Sequence, residues 1–278
     1  MPDKRTTRQY QRKFTRLGAR PGLRLREQLK ELVAAIRFLS IIPVPGKFFD
    51  TEEEDADMII GAAYFPFVGL LLALLLLALL LATSPFLPPL VLSGVIVAAQ
   101  VVLTGGLHMD GLMDSSDGLF GGGSPQRRLE IMRDSRVGSF GVLAGGCVLL
   151  LKFAVFATLR VHLLGQAVLM VLPVARWAMI LTVSLFPSAR PTGLGAAFRR
   201  TLSTSRLVVA GITALIVVLV VGHLVGLLLL FVGSLAAVAT GAWATRRLGG
   251  LTGDSYGAIE EVAEVVMLLL IVALHAWL

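Results

Sequence analysis

Three aspartates in one short stretch are the residues of this sequence best suited to chemistry. Asp110, Asp114 and Asp117 occur at positions i, i+4 and i+7 within the segment 104–141. At about 100° of turn per residue, an α-helix places all three on one face, within roughly 60° of one another. No Lys or Arg lies between them to relieve their repulsion. Because Mg²⁺ and Mn²⁺ prefer oxygen ligands, the pattern predicts a divalent-metal site. A solvated helix end is the alternative, which the apolar, glycine-rich flanks disfavour.

A second charged stretch follows directly. The segment 129–136 predicts a short helix, with Ser124 as its N-cap and Pro125 in its first turn. Arg133 and Arg136 could each bind phosphate oxygens through two hydrogen bonds. A surface helix of mixed charge is the alternative interpretation.

A third group of acidic residues lies near the end of the chain. Asp254 stands in a glycine-flanked loop, and Glu261 and Glu264 open the last apolar run. A carboxylate at a helix start is favoured by the helix dipole, which is a sufficient structural explanation for one of them. Two such residues beside Asp254 are harder to explain that way and are candidate metal or catalytic groups.

Four further ionisable residues are candidates because of where they fall. Lys152, Arg176 and Arg190 lie inside or near the ends of apolar runs, where a charge is expensive and by default functional. Lys152 could instead extend its amine to the membrane surface. His108 precedes Asp110 by two residues and so points away from the aspartate face. It is a candidate ligand, a hydrogen-bond donor to substrate, or merely a residue at the start of the helix.

Composition identifies an integral membrane protein. The chain has 278 residues and only 15% charged residues, with a mean hydropathy of +0.82, and several apolar runs are long enough to cross a bilayer. The net charge of +7 is not a nucleic-acid signature, because ten of the 25 Lys and Arg residues precede Glu31, in a segment that a membrane surface would attract. Cys147 is the only cysteine, which excludes a disulfide framework.

The predicted fold is an all-α polytopic bundle with about seven transmembrane helices. Residues 1–24 are expected to be a disordered basic cytoplasmic arm, and residues 25–278 a single membrane-embedded catalytic domain. Residues 25–39 carry one apolar stripe and predict an interfacial amphipathic helix. The predicted spans cover residues 58–82, 90–107, 139–159, 163–186, 207–222, 224–245 and 261–278.

The distribution of basic residues predicts the orientation. The arm and the segments 105–137, 187–206 and 246–257 carry nearly all of the Lys and Arg residues. With seven spans they share one side of the membrane, and the positive-inside rule places that side in the cytoplasm. We therefore expect a protein of the bacterial inner membrane whose aspartates face the cytoplasm.

The residues by themselves favour phosphoryl transfer. Mg²⁺ that is held by few carboxylates and shared with substrate phosphates is the usual arrangement for that chemistry. A divalent-cation transporter is the non-enzyme alternative. The arginines argue against it, because a cation beside a cation pathway would raise the barrier to transport.

The aspartate segment also resembles a known family. The run from Gly105 to Phe120 is similar to the signature of cobalamin synthase, adenosylcobinamide-GDP ribazoletransferase. Further similarity lies in family order along most of the chain, in the segments 37–39, 43–45, 65–69, 129–138, 189–195 and 250–264.

The resemblance implies a Mg²⁺-dependent (or Mn²⁺-dependent) membrane enzyme. It would join adenosylcobinamide-GDP to α-ribazole or its 5′-phosphate and release GMP. A bulky corrinoid would need a wide opening, which the segments 25–39 and 187–206 and the start of the last span would border. Self-association into a homo-oligomer is left open. By this resemblance, the metal ligands are Asp110, Asp114, Asp117 and Glu264. The phosphate-binding residues are Arg133, Arg136, Arg190, Arg176 and Lys152. The catalytic residues are Asp117, Glu261, Asp254 and His108, and either Asp117 or Glu261 accepts the hydroxyl proton.

The runner-up is a CDP-alcohol phosphotransferase, whose hallmark begins D-x-x-D-G. The run from Asp114 to Gly118 matches that beginning. The Ala-Arg pair expected soon afterwards is absent, because Leu119, Phe120 and Gly121 stand there. This indicates similar chemistry in a different family.

Overall fold

The computed structural model describes residues 21–44 and 60–275. Residues 1–20 of the predicted basic arm lie outside this range, and residues 21–24 belong to the first helix. Within the described ranges the chain forms ten α-helices and no β-strand, so the predicted all-α architecture is confirmed. The helices are α1 Pro21–Leu39, α2 Phe65–Thr83, α3 Pro89–Leu103, α4 Leu107–Phe120, α5 Pro125–Ile131, α6 Ser139–Thr158, α7 Val161–Leu185, α8 Leu194–Thr201, α9 Thr204–Leu248 and α10 Gly253–His275.

Fewer helices than seven meet the length and composition expected of a simple membrane span. Four do so among the described residues, and a fifth span results if the bent pair α3 and α4 is counted as one. The difference has physical causes. Helix α3 has only 15 residues, α10 carries three buried glutamates, and α9 unites two of the predicted spans. Within the described residues, each of the seven predicted segments contains a helix, but not all of these helices are apolar spans of full length.

Helix α9 is a hairpin with a sharp turn at His223. His223 has φ 47° and ψ −122°, a conformation that interrupts the helix. A side chain at Gly226 would collide with the Val218 carbonyl, so the arms 204–222 and 224–248 fold back on each other. The fifth and sixth predicted spans are these two arms.

Helix α7 is the central helix of the bundle, with most of its side chains buried. Helix α2 approaches it closely at Gly69, where a Cβ atom would lie 2.8 Å from the Leu172 carbonyl oxygen. Arg176 lies on the same stretch of α7 and is fully buried. The core helix therefore carries a cation into the interior, where it needs carboxylate partners.

Two glycines turn the chain between α3 and α4. Gly105 and Gly106 have φ of 61° and 71°, which glycine adopts without the strain that a Cβ would bring. The two helices meet at 86°, so α4 turns away from the direction of α3 towards the start of α10. There it packs against the start of α10, because a Cβ at Gly111 would lie 2.8 Å from the Asp254 carbonyl oxygen.

The predicted polar segments meet at this end of the bundle, beside the start of α10. Arg190 Nη2 donates to the Leu129 carbonyl oxygen at 2.8 Å, and the Ala189 N–H donates to the Leu251 carbonyl oxygen at 2.9 Å. The segments 105–137, 187–206 and 246–257 are therefore neighbours, while the side of the membrane on which they lie stays a prediction.

Helix α1 joins this end of the bundle through its inner face. Ala35 and Leu39 are buried, and Glu31 forms an ion pair with Arg206 at the start of α9. Phe38 meets Phe198 of α8 with ring centroids 5.5 Å apart. The amphipathic helix predicted for 25–39 is thus present, four residues longer at its start.

Candidate active site

Three carboxylates from two helices form the outer part of the site. Asp110 and Asp114 lie on α4, and Asp254 lies in the first turn of α10. The pKa of the Asp114 carboxyl is raised to about 6, first by burial and then by the negative charges of Asp110, Asp254 and Asp117. Burial, together with Asp110, also raises the pKa of Asp254, while Arg190 opposes the rise. Carboxylates that repel one another in this way favour a bound cation.

Asp117 has a different environment from the other two aspartates of α4. Its side chain is buried, and its Oδ2 and Oδ1 accept the backbone N–H groups of Gly138 and Gly141 at 2.7 and 2.8 Å. Gly138 is the N-cap of α6, so the carboxylate satisfies N–H groups that the helix itself leaves free. A Cβ at Gly141 would lie 2.5 Å from Asp117 Oδ2. Asp117 therefore joins α4 to α6.

Arg190 and Arg133 are close enough to repel each other. Burial, and then the charge of Arg133, lower the pKa of the Arg190 guanidinium. Arg190 Nε is buried and has no hydrogen-bond partner among the described residues. Two guanidinium groups that repel each other, one of them near the Asp254 carboxylate, form a suitable site for an anion such as a phosphate.

Arg136 lies in an exposed loop instead. Its Nη2 pairs with Asp134 Oδ2 at 2.8 Å, and this hydrogen bond lowers the pKa of Asp134 to about 2. The predicted N-cap is confirmed, since Ser124 Oγ accepts the Arg127 N–H. The helix predicted to run to Arg136 is wrong in its extent: α5 ends at Ile131, so Arg133 and Arg136 are not on a common helix face.

The other predicted site residues form a separate buried ion-pair network. Lys152 Nζ lies 2.6 Å from one oxygen each of Glu261 and Glu264. Arg176 Nη1 lies 2.6 Å from one oxygen each of Glu260 and Glu264. Three carboxylates against two cations leave one formal negative charge. The side chains of all five residues are buried.

Two further side chains attach to this network. Gln100 Nε2 donates to Glu264 Oε2 at 2.5 Å, and His108 Nδ1 lies 3.5 Å from Glu260 Oε2. His108 thus points away from the aspartate face, as its sequence position predicted. The three glutamates are close enough to hold a metal ion, but Lys152 and Arg176 already supply two positive charges there. The geometry favours an ion-pair network with one excess negative charge over a metal centre.

Glu260 and Gln100 are the members of this network that the sequence analysis missed. Glu260 precedes Glu261 directly and shares a helix face with Glu264 at i, i+4. A mid-span arginine needs a carboxylate partner, so Arg176 could have pointed to this face. No comparable signal distinguishes Gln100, because its partner is 164 residues away in sequence.

The fold and this site define a class: a polytopic helical membrane enzyme with acidic and basic side chains gathered at one end of its bundle. The chain belongs to the cobalamin-5-phosphate synthase family, whose family model matches residues 31–272.

Individual proteins of similar sequence agree with this membership. An adenosylcobinamide-GDP ribazoletransferase of Desulfitobacterium hafniense (strain Y51) is 38% identical over 246 residues, covering 87% of this chain and 96% of the relative. The protein of that name from Roseiflexus sp. (strain RS-1) is 42% identical over 234 residues, covering 84% and 86% of the two chains. No solved structure matches the chain. The family predicted from the aspartate signature is therefore confirmed.

Proposed function

We propose that this protein joins adenosylcobinamide-GDP to α-ribazole, or to its 5′-phosphate, and releases GMP. The relatives carry the name of this reaction. The observation that supports it in this chain is the meeting of Asp110, Asp114 and Asp254 with Arg190 at one end of the bundle. A diphosphate substrate requires this combination, since its oxygens must be neutralised while one phosphorus is attacked.

The outer carboxylates fit the Mg²⁺ that the sequence predicts. They are oxygen donors, they raise one another's pKa, and Arg190 is the cation that opposes this effect at Asp254. We propose that Asp110 and Asp114 hold the ion and leave Asp254 free to accept a proton. Bound there, Mg²⁺ would neutralise charge on the diphosphate and on the departing phosphate. Asp117, whose oxygens accept two backbone N–H groups, would position α4 and would not serve as the main ligand.

The remaining residues have roles that follow from their positions. The ribazole hydroxyl oxygen attacks the phosphorus attached to cobinamide, and the bond from that phosphorus to the bridging oxygen breaks. GMP leaves with that oxygen, and the hydroxyl proton passes to a base. Asp254 is our candidate for that base, since Glu261 is ion-paired with Lys152. Arg133 and Arg190 would hold phosphate oxygens during the transfer.

The buried network would fix the helices that carry these groups. Lys152 and Arg176 pair with glutamates inside the bundle, so we propose that they position α6, α7 and α10 and do not bind phosphate. In a cation transporter these two cations would stand directly beside the carboxylates. Their presence supports the enzyme over the transporter.

The test is turnover by the purified, full-length protein. We expect GMP and a completed cobalamin from adenosylcobinamide-GDP, α-ribazole 5′-phosphate and Mg²⁺, and no GMP when ribazole is omitted. A parallel reaction with CDP-diacylglycerol and an alcohol acceptor tests the runner-up. CMP without GMP would replace our proposal with a CDP-alcohol phosphotransferase. Absence of both products, with cation flux in liposomes, would indicate a transporter.

We also propose that the site and the basic arm face the cytoplasm of a bacterial inner membrane. The test places single cysteines at Gln126, Arg200 and Pro88 in a Cys147→Ser background, because these three positions are exposed. A membrane-impermeant thiol reagent should label Pro88→Cys in intact spheroplasts, and the other two only after lysis. Labelling of Gln126→Cys and Pro88→Cys from the same side would contradict this topology.

A further inference from the structure

A cavity lies between the end of one apolar helix and the start of another. Ser184 in the last turn of α7, Arg199 of α8 and Thr204 in the first turn of α9 line it, and its volume is about 250 Å³. We call it the α7–α9 cavity. Both α7 and α9 are long and apolar enough to cross a membrane. A cavity at their ends therefore lies at the boundary of the bilayer.

This cavity is separate from the proposed reaction site. Of the residues that the structure describes, none that we assign to metal binding, phosphate binding or proton transfer lines it. Asp110 and Asp254 line a different cavity of about 60 Å³, which is narrower than the opening that the sequence predicts for a corrinoid. The α7–α9 cavity therefore requires an explanation of its own.

Arg199 supplies the positive charge of the cavity. Its Nη1 donates to the carbonyl oxygens of Val183 and Phe186 at 3.0 and 2.6 Å, at the end of α7 where carbonyl groups lack partners within the helix. These bonds hold the guanidinium in place. Its Nε and Nη2 donate to no other group in the described part of the chain, and the residue is exposed. They can therefore bind the oxygens of a phosphate.

The surroundings of the cavity are positively charged as well. The segment 187–206 contains four arginines and no acidic residue. Arg206 pairs with Glu31 of α1, whereas Arg200, next to Arg199, is exposed. Within the described ranges no carboxylate lines the cavity, so an ammonium group placed there would have no partner. The charge favours an anionic ligand without an ammonium group.

Apolar side chains continue from the edge of the cavity. Ser184 and Leu207, which line it, are followed in sequence by Leu185 and Val208, whose exposed fractions are 53% and 51%. Ile212, one turn further along α9, is 50% exposed. Acyl chains would cover this surface, which a small anion in water would leave exposed. Basic pockets beside membrane helices bind anionic lipid headgroups for this combination of reasons.

We infer that the α7–α9 cavity binds the headgroup of an anionic phospholipid such as phosphatidylglycerol. The lipid phosphate would accept hydrogen bonds from Arg199 and from the Thr204 hydroxyl, and the acyl chains would lie on the apolar face of α9. A volume of about 250 Å³ equals that of about eight waters in the liquid, which is room for a phosphate with a short polyol. This inference does not depend on the proposed reaction.

Binding of defined lipids to the purified full-length protein tests the inference. Native mass spectrometry from a neutral detergent would compare phosphatidylglycerol with phosphatidylcholine, and we expect phosphatidylglycerol to bind more tightly. Arg199→Gln should weaken its binding about 5-fold or more, as expected for one arginine near an anionic headgroup. Thr204→Trp fills the cavity, keeps the contacts of Arg199 with α7, and should also weaken binding. The matched control is Arg160→Gln, because Arg160 is an exposed arginine at the opposite end of α7.

Thermal unfolding separates a lipid from a soluble phosphate. Phosphatidylglycerol should raise the Tm of the wild-type protein and of Arg160→Gln, and should raise it less in the two cavity variants. Inorganic phosphate and glycerol 3-phosphate should not raise it. An equal rise with either soluble compound would replace the lipid with a soluble phosphate. Equal binding of phosphatidylcholine, binding that both cavity variants leave intact, or an equal loss in Arg160→Gln would each overturn the inference. Since GMP release is not measured here, failure of this inference leaves the proposed reaction untouched.

Discussion

Replacing Lys152 by methionine separates the two roles that this lysine can have. The sequence predicted that Lys152 binds substrate phosphate, whereas the structure pairs it with Glu261 and Glu264 at 2.6 Å. Methionine keeps an unbranched side chain, shorter by one atom, and removes the charge. The excess negative charge of the buried network then rises from one to two. We expect Lys152→Met to destabilise the fold first and to reduce activity only as a consequence.

The size of the effect follows from the geometry. At an effective dielectric constant of about 20, each 2.6 Å pair contributes about 6 kcal/mol of Coulomb attraction. Most of this offsets the removal of the charges from water, so breaking a buried pair lowers the free energy of unfolding by about 3–5 kcal/mol. At about 2–4 °C per kcal/mol for a chain of this size, the apparent Tm should fall by about 6–20 °C.

The assay is thermal unfolding in detergent, combined with turnover at a temperature at which all variants are folded. The double variant Lys152→Met, Glu261→Gln restores one net negative charge and should recover at least half of the lost Tm. Glu261→Gln alone should lose less than Lys152→Met, because it removes the excess charge. A Lys152→Met protein with wild-type Tm and a raised KM for adenosylcobinamide-GDP would refute this reasoning and would support phosphate binding.

Three further changes test other parts of the structure. Asp114→Asn should lower kcat on the order of 10²-fold and weaken Mn²⁺ binding followed by electron paramagnetic resonance; Asp134→Asn, in the exposed loop, should do neither. Asp117→Ala leaves two N–H groups at the start of α6 unpaired and should lower the free energy of unfolding by about 2–4 kcal/mol; lost activity at wild-type Tm would contradict this. Gly111→Ala meets the Asp254 carbonyl and should lower the Tm, whereas Gly146→Ala, with free space around it, should not.

The sequence predicted the fold because a lipid environment permits few structures. An apolar run in a bilayer must satisfy its backbone groups internally, so each such run had to be a helix. Ser124 and Pro125 marked the start of α5 correctly, because capping is a local interaction. The division of the fifth and sixth spans at His223 was predicted correctly and is the turn of the α9 hairpin. The end of α5 was beyond local patterns, because it depends on what the chain packs against and no proline marks it.

For the candidate site too, local sequence patterns predicted some features and missed those that depend on residues distant in the sequence. Helical periodicity placed Asp110, Asp114 and Asp117 on one helix correctly, but periodicity only says which direction a side chain faces. Asp117 faces the N–H groups of Gly138 and Gly141, which follow more than 20 residues later. A spacing rule cannot distinguish a carboxylate that caps a distant helix from one that is free to bind a metal.

The buried charges show how far one can apply the rule that a charged residue inside a membrane span has a function. A charge inside an apolar span is expensive, and this marks Lys152 and Arg176 as residues with a purpose. The same physics requires each to find an opposite charge, and Glu264 accepts from both. Once these partners are satisfied by one another, little of their charge is available to a substrate. Among the described residues, Asp110, Asp114 and Asp254 repel one another and form no such ion pair, so we propose that the cation binds at this outer end of the bundle.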